Sequence, residues 1–363
     1  MKILYVITGL GQGGAERVVC DLADEMFVRG HTVKIAYLTG EVLTKPIHQE
    51  INLIKVGLKS LVSLPIAYLK LANIIKGYQP DVVHAHMVHA NLLTRLVRIV
   101  TPIDKLVCTA HNSNEGGILR MLTYRATHKL ATITTNVSQQ ATLAFENKHA
   151  VPSNGMRTIY NGINLNKFNY DPAARHTLIK ELEVDDSCRL ILAVGRFDEQ
   201  KDYPNLLNAI HLLKKEVDYP FKLLIAGDGP LREQIEDTID NLELKDEAIL
   251  LGRRDDIPKL MSAADLFILP SKFEGFGLVV AEAMACECLV VATDCGGVAE
   301  VLNNPEFLVP VNNAKSLMQK IAYALKLDKD RKSAIVYQNL KHVQDNFSLE
   351  NIIEKWIALY HDK

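Results

Sequence analysis

The chain has 363 residues, 48% hydrophobic and 23% charged, with a mean hydropathy of +0.04, which excludes disordered, collagen-like and disulfide-stapled classes and fits two domains with real cores. Net charge is −2, but residues 1–170 carry 18 Lys/Arg against 10 Asp/Glu and residues 171–363 carry 23 against 33, so one half is +8 and the other −10. Such asymmetry suits an anionic partner for the first half. No Lys/Arg run with interleaved aromatics points to nucleic acid. The six cysteines form no C-x-x-C pair and read as reduced, partly buried thiols of a cytoplasmic protein. No stretch is long and charge-free enough to span a bilayer, and the apolar opening is too short for a signal segment.

In chain order, Lys2–Thr8 is an apolar β-rich run, followed by Gly9-Leu-Gly-Gln-Gly-Gly14 and a helical pattern over Ala15–Arg29. Thr32–Leu38, Ile51–Val56, Asp81–Ala85, Lys105–Ala110 and Ala131–Thr135 are further strand candidates. Leu58–Lys76 reads as a helix with a broad apolar face. The same grammar restarts after the turn-rich Asn164–Pro172: strands Arg189–Val194, Phe221–Ala226, Ala248–Leu251, Leu266–Leu269 and Cys288–Ala292 alternate with helices Tyr203–Glu216, Leu231–Leu242, Ile257–Ala264 and one ending near Ala285. This pattern predicts an α/β chain of two doubly wound, Rossmann-like domains, 1–168 and 169–346, with a final helix in 347–363. The ligand crevice is expected where the carboxyl ends of the two sheets face each other.

Gly9-x-Gly11-x-x-Gly14 satisfies the dinucleotide fingerprint, with a strand before it and a helix after. The acid that should close the second strand is missing, since Tyr37, Leu38, Thr39 and Gly40 stand there. Gly13 and Gly14 therefore read as phosphate or sugar contacts, with an NAD-dependent oxidoreductase as a rival reading. In the second half, Gly195-Arg196 and Lys201 place two cations past a strand end, suited to holding a diphosphate and offsetting the charge that develops as it leaves. A solvated loop paired to Asp198, Glu199 or Asp202 is the plainer alternative.

Glu274 precedes a Gly275-Phe276-Gly277 turn that opens a helix at Leu278, and Glu282 follows eight residues on, ~12 Å along a fully helical spacing. One carboxylate can accept from hydroxyls on one side of a diphosphate and the other from hydroxyls on the far side. A nucleotide sugar has that shape. Glu282 is set among Val279, Val280, Ala281, Ala283, Met284 and Ala285, where an unpaired carboxylate is costly. His84, His86 and His89 lie at a strand end, but no Asp or Cys completes a metal set nearby. His86 or His89 is instead expected to line the acceptor cleft, with a buried, satisfied histidine as the equal alternative.

Gly-Gly-Ala-Glu-Arg near the start, Asn161-Gly162, Gly195-Arg196 with Lys201, Ala226-Gly-Asp-Gly-Pro230 and Glu274-x7-Glu282 together resemble the retaining glycosyltransferases of family 4, with the glycosyltransferase-B fold. The resemblance runs over nearly the whole chain. It implies a donor-binding second half in which Arg196 and Lys201 grip the donor diphosphate, Glu274 and the Gly275–Leu278 amides contact the transferred sugar and phosphate, Glu282 holds the ribose and Arg253 the base. It also implies an acceptor-binding first half, with Gly13 and Gly14 closing over the donor, His111 reaching the donor sugar, and the last helix crossing back.

The reading is a cytoplasmic, metal-independent hexosyl- or N-acetylhexosaminyltransferase, using a UDP-sugar and no cofactor to extend a lipid-linked glycan for lipopolysaccharide, capsule or similar surface polysaccharide. Peripheral contact with anionic lipid at the inner face of the cytoplasmic membrane is expected through Leu58–Lys76 and Arg95–Lys105, for which core helices are the alternative. A nucleotide-sugar 2-epimerase of the same fold and a sugar-nucleotide-binding protein without turnover are the other rivals.

Overall fold

Apolar runs that cannot alternate polar and apolar residues are satisfied only in a parallel sheet covered on both faces. The computed structural model of the chain, which describes residues 1–113 and 116–362, builds two such sheets. Each belongs to one of two units, the first made of Met1–Gly162 and the segment from Glu350 onward, the second of Ile163–Leu349.

The first unit's strands are β1 (Lys2–Ile7), β2 (Thr32–Tyr37), β3 (Asn52–Lys55), β4 (Val82–His86), β5 (Lys105–Ala110), β6 (Ile133–Asn136) and β7 (Arg157–Thr158). They lie parallel in the order β3-β2-β1-β4-β5-β6-β7, so the order reverses between β1 and β4. Every residue of β1 after Lys2 is buried, as is all of β4. The Gly-rich loop leads into the helix Gly14–Val28, and Val18, Val19, Leu22, Ala23 and Met26 are its buried stripe, as its spacing foretold. The helix expected from Leu58 begins at Leu64, since Pro65 suits a first turn and Leu61–Ser63 forms a separate tight turn.

The last helix, Leu349–His361, packs Trp356 and Tyr360 into the first unit. Tyr360 Oη meets His84 Nδ1 at 2.7 Å and Tyr5 Oη at 3.3 Å. Lys105 Nζ reaches the carbonyl of Tyr360 at 2.9 Å, and Arg29 pairs with Glu354. Lysine at the end of a helix satisfies carbonyls that have no acceptor role left inside it and complements the dipole.

The second unit's strands are β8 (Arg189–Val194), β9 (Phe221–Ala226), β10 (Ala248–Gly252), β11 (Leu266–Leu269), β12 (Val290–Thr293) and β13 (Leu308–Val309). Their parallel order, β10-β9-β8-β11-β12-β13, repeats the scheme of the first unit and reverses between β8 and β11. After β12 come the short helix Val298–Leu302, β13, and the helices Ala314–Leu325 and Lys329–Phe347. All six cysteines are free and buried.

Replacing Tyr360 by Phe keeps the ring and deletes the hydroxyl, leaving His84 Nδ1 buried without this partner. The expected loss is about 1–3 kcal/mol, read as a lower midpoint for the first unit in urea; an unchanged midpoint would mean the bond contributes nothing.

Candidate functional site

Loops that follow the strands flanking a reversal in strand order are where a doubly wound sheet binds ligands. In the second unit these are the loop after β8, carrying Gly195, Arg196 and Lys201, and the loop after β11, carrying Ser271 and Glu274. Asp198 caps the short turn Glu199–Lys201, accepting from the Lys201 amide at 3.3 Å. Lys201 Nζ then lies 2.6 Å from Glu274 Oε1, which also accepts from Ser271 Oγ at 2.8 Å. Gln200 Nε2 donates to the other oxygen, Oε2, at 3.3 Å. Both charged side chains are largely buried, 15% and 10% exposed, so each is compensated by the other and by neighbouring polar groups more than by water. The two expected cations thus differ: Lys201 is held by Glu274, whereas the Arg196 side chain is exposed and makes no ion pair among the described residues.

The backbone around Glu274 is packed as tightly as its carboxylate. Gly296, at φ +54°, passes so close that a Cβ there would stand 1.7 Å from the Glu274 carbonyl oxygen. Thr293 Oγ1, at the end of β12, donates to the Ser271 carbonyl at 2.6 Å. On the other side, a Cβ on Gly227 would stand 1.9 Å from the Gly195 carbonyl, and Tyr203 Oη donates to that same oxygen at 3.0 Å.

Gly277, at φ +90°, begins the helix Leu278–Ala285, so the helical spacing between Glu274 and Glu282 is only partial; Glu274 belongs to the turn before it. Gly275 is buried, and the Phe276 ring is turned inward against Phe347, 5.2 Å between centroids, so any ligand contact by Phe276 is through its backbone. The first-turn amides of the helix have no acceptor within it. Glu282 is buried on this helix, among apolar neighbours. Arg253, following β10, is exposed and stands 3.5 Å from Asp228.

In the first unit the glycine loop and the histidines lie at the matching reversal. Gly13 and Gly14 are exposed, but the Glu16 carboxylate folds over the loop: a Cβ on Gly13 would be 2.3 Å from Glu16 Oε2. An acid at this helix start complements the dipole and repels a phosphate, which weakens the dinucleotide reading further. His84 is spent on Tyr360 and on Thr109 Oγ1, 2.7 Å from its Nε2, so its ring serves protein hydrogen bonds. Burial holds His84 and His86 well below the usual imidazole range, with the neighbouring histidines adding to it, and pushes His111 down to about 4.

Two parallel-sheet Rossmann-like units, with a cationic and carboxylate cluster at the strand reversal of the second, define the glycosyltransferase-B class of enzyme. Residues 12–167 match the model of Glycosyltransferase Family 4 and residues 174–340 that of Glycosyl transferases group 1. The chain belongs to this glycosyltransferase family. It is 24% identical, over 96% of this chain and 94% of the relative, to the N-acetyl-alpha-D-glucosaminyl L-malate synthase of Bacillus anthracis. It is 26% identical, over 92% of each chain, to the Campylobacter jejuni N-acetylgalactosamine-N,N'-diacetylbacillosaminyl-diphospho-undecaprenol 4-alpha-N-acetylgalactosaminyltransferase. Among solved structures, Anabaena HepE, in complex with UDP, superposes with a TM-score of 0.84 at 21% identity, covering 99% of both chains.

Sequence reasoning picked out Lys201 and Glu274 but not their mutual pairing, nor the supporting Ser271, Gln200 and Gly296. Gly296 carries a weak signal, the Cys295-Gly-Gly297 step after an apolar strand. Gly296→Ala is expected to lower stability by several kcal/mol through steric overlap, and Gly252→Ala, at φ +65° with open space around it, by about 1 kcal/mol; similar melting curves for the two would refute the packing argument.

The histidines set a pH dependence. Each is neutral in the folded protein but binds a proton in the unfolded chain below about pH 6.5. The unfolded state therefore takes up more protons, and stability falls as pH drops from about 7 towards 4. His86→Asn removes one such group, and its stability should fall less steeply, by about 1.4 kcal/mol per pH unit, in denaturant titrations at pH 4.5–6.

Proposed function

We propose that this glycosyltransferase moves a hexose or N-acetylhexosamine from a UDP-sugar, with retention at the anomeric carbon, to a lipid-linked oligosaccharide in surface-glycan assembly. The cluster of Lys201, Glu274, Ser271 and Gln200, beside the exposed Arg196, carries the reading. Arg196 and Lys201 hold the departing diphosphate, and the amides that open the helix Leu278–Ala285 add partial positive charge. The pair of cations thereby takes the place of a divalent ion.

Glu274 and the Gly275–Leu278 backbone accept and donate to the hydroxyls of the transferred sugar, Glu282 holds the ribose and Arg253 faces the base. Binding of UDP by HepE supports the choice of nucleotide. The first unit takes the acceptor; there Gly13 and Gly14, under the Glu16 carboxylate, suit hydroxyl groups better than phosphate, and His111 serves the donor sugar. The Campylobacter relative's diphospho-undecaprenol acceptor supports a lipid-linked substrate.

Work at the inner face of the cytoplasmic membrane fits the first unit's surface. No helix among the described residues is long and apolar enough to cross a membrane. Helix Leu64–Tyr78 buries Ala67, Leu71, Ala72 and Ile75, yet Val62, Ile66 and Leu69 are more than half exposed on or just before it, and so are Ile99 and Val100 in the second basic segment. Lys59, Lys70 and Lys76 lie along the first of these segments, suiting anionic lipid.

Arg196→Ala and Lys201→Ala should each lower turnover by about 100-fold, measured as UDP released from UDP-sugars, with Glu199→Ala close to wild type. Equal rates in all three variants would contradict the assignment, and release of UDP with an altered free sugar and no acceptor would favour the 2-epimerase. In co-sedimentation, the protein should bind phosphatidylglycerol vesicles, and less so at raised salt, but not pure phosphatidylcholine. Indifference to lipid charge would remove the membrane contact.

A further inference from the structure

The loop after β10 carries Arg253 without a core side chain to hold it. Every residue from Ile249 to Lys259 is at least partly exposed, and a Cβ on Gly252, at φ +65°, would meet open space. A polar anchor takes the place of an apolar one. Arg254 sends Nε and Nη2 to the two oxygens of Asp256, each at 2.7 Å. Its Nη1 and Nη2 reach the two oxygens of Glu181, the latter at 3.2 Å. These hydrogen bonds hold the carboxyls of both acids below the usual carboxylate range. Two planar forks on one guanidinium fix its orientation as well as its position, which a single surface ion pair does not.

Both acids stand against a local preference. Asp256 precedes the helix Ile257–Ala263, where an aspartate ordinarily accepts from amides of the first turn; here its carboxylate turns to Arg254 instead. Glu181 lies in the last turn of the helix Ala174–Leu182, where the helix dipole disfavours an acid. Local rules set aside at one place mark a residue that the wider structure needs there.

What the forks hold in place is the end of a series of linked loops. The Phe197 amide donates to the Asp228 carbonyl at 3.1 Å, and the Gly227 amide to the Gly252 carbonyl at 2.8 Å, so the loops after β8, β9 and β10 are joined in turn. Arg196 stands at one end of the series and Arg253 at the other, with two strand spacings, about 10 Å, between β8 and β10. Arg253 faces away from its neighbour's partners, towards Asp228 at 3.5 Å. The Arg254 charge is answered by two carboxylates, so the outward cation of this loop is Arg253. We propose that Arg254 is a positioning residue: by tying the loop after β10 to the helix Ala174–Leu182, it sets where Arg253 stands and thereby how tightly a nucleotide is held by its base. This rests on the base contact given to Arg253 above.

The test measures UDP binding by titration calorimetry, and inorganic pyrophosphate by displacement of bound UDP. The proteins compared are the wild type, Arg253→Ala, Arg254→Ala, the double variant and Glu181→Gln. Arg254→Ala should weaken UDP on the order of 5- to 10-fold and leave pyrophosphate unchanged. Added to Arg253→Ala it should change UDP affinity less than about twofold, because its effect passes through Arg253. Glu181→Gln breaks one fork from a different helix and serves if Arg254→Ala does not fold; it should weaken UDP in the same selective way, by less. Losses that multiply in the double variant, an equal loss for pyrophosphate, or unchanged UDP affinity in both Arg254→Ala and Glu181→Gln would overturn the proposal. Wild-type affinity in Arg253→Ala would remove the base contact and the proposal with it, whereas a loss there with none at Arg254 would remove the positioning alone.

Discussion

The ion pair between Lys201 and Glu274 is the constraint from which the second unit's chemistry follows. Bringing two charges out of water costs more than their attraction alone returns unless further hydrogen bonds complete the set. Ser271 and Gln200 supply them, one to each carboxylate oxygen, and the glycines at 227 and 296 let the backbones that carry the pair approach to contact. The result is a lysine whose ammonium is held in place by the protein itself, which suits the diphosphate site proposed for it. Arg196, exposed one residue beyond Gly195, has no such ion pair among the described residues.

The first unit uses the same topology for a different purpose. Its glycine loop carries its own carboxylate, Glu16, where a dinucleotide site would hold phosphate, and its strand reversal is occupied by rings rather than by an ion pair. These rings are neutral because they are buried, and the last helix of the chain places Trp356 and Tyr360 against one of them, His84.

Much of the fold was legible because strongly apolar runs of the right length have few alternatives. Lys105–Ala110, Arg189–Val194, Phe221–Ala226 and Leu266–Leu269 are strands at the limits that their composition indicates. The two-residue strands β7 and β13 have too little pattern to be seen, because pairing with a neighbour, not local preference, makes them. At the site, residue types were legible and partners were not. Glu274 lies 73 residues from Lys201, and nothing local says that they meet. For His86 a cleft position and a buried one were both open for a related reason: only the packing of a helix from the far end of the chain closes over that region.

The account stands or falls on where a nucleotide diphosphate binds. A crystal structure of the protein soaked with UDP tests this most directly. The diphosphate is predicted within hydrogen-bonding distance of Arg196, Lys201 and the amides at the start of Leu278–Ala285, with the ribose hydroxyls on Glu282. UDP bound away from these groups, or Glu282 turned from the ribose, would contradict it.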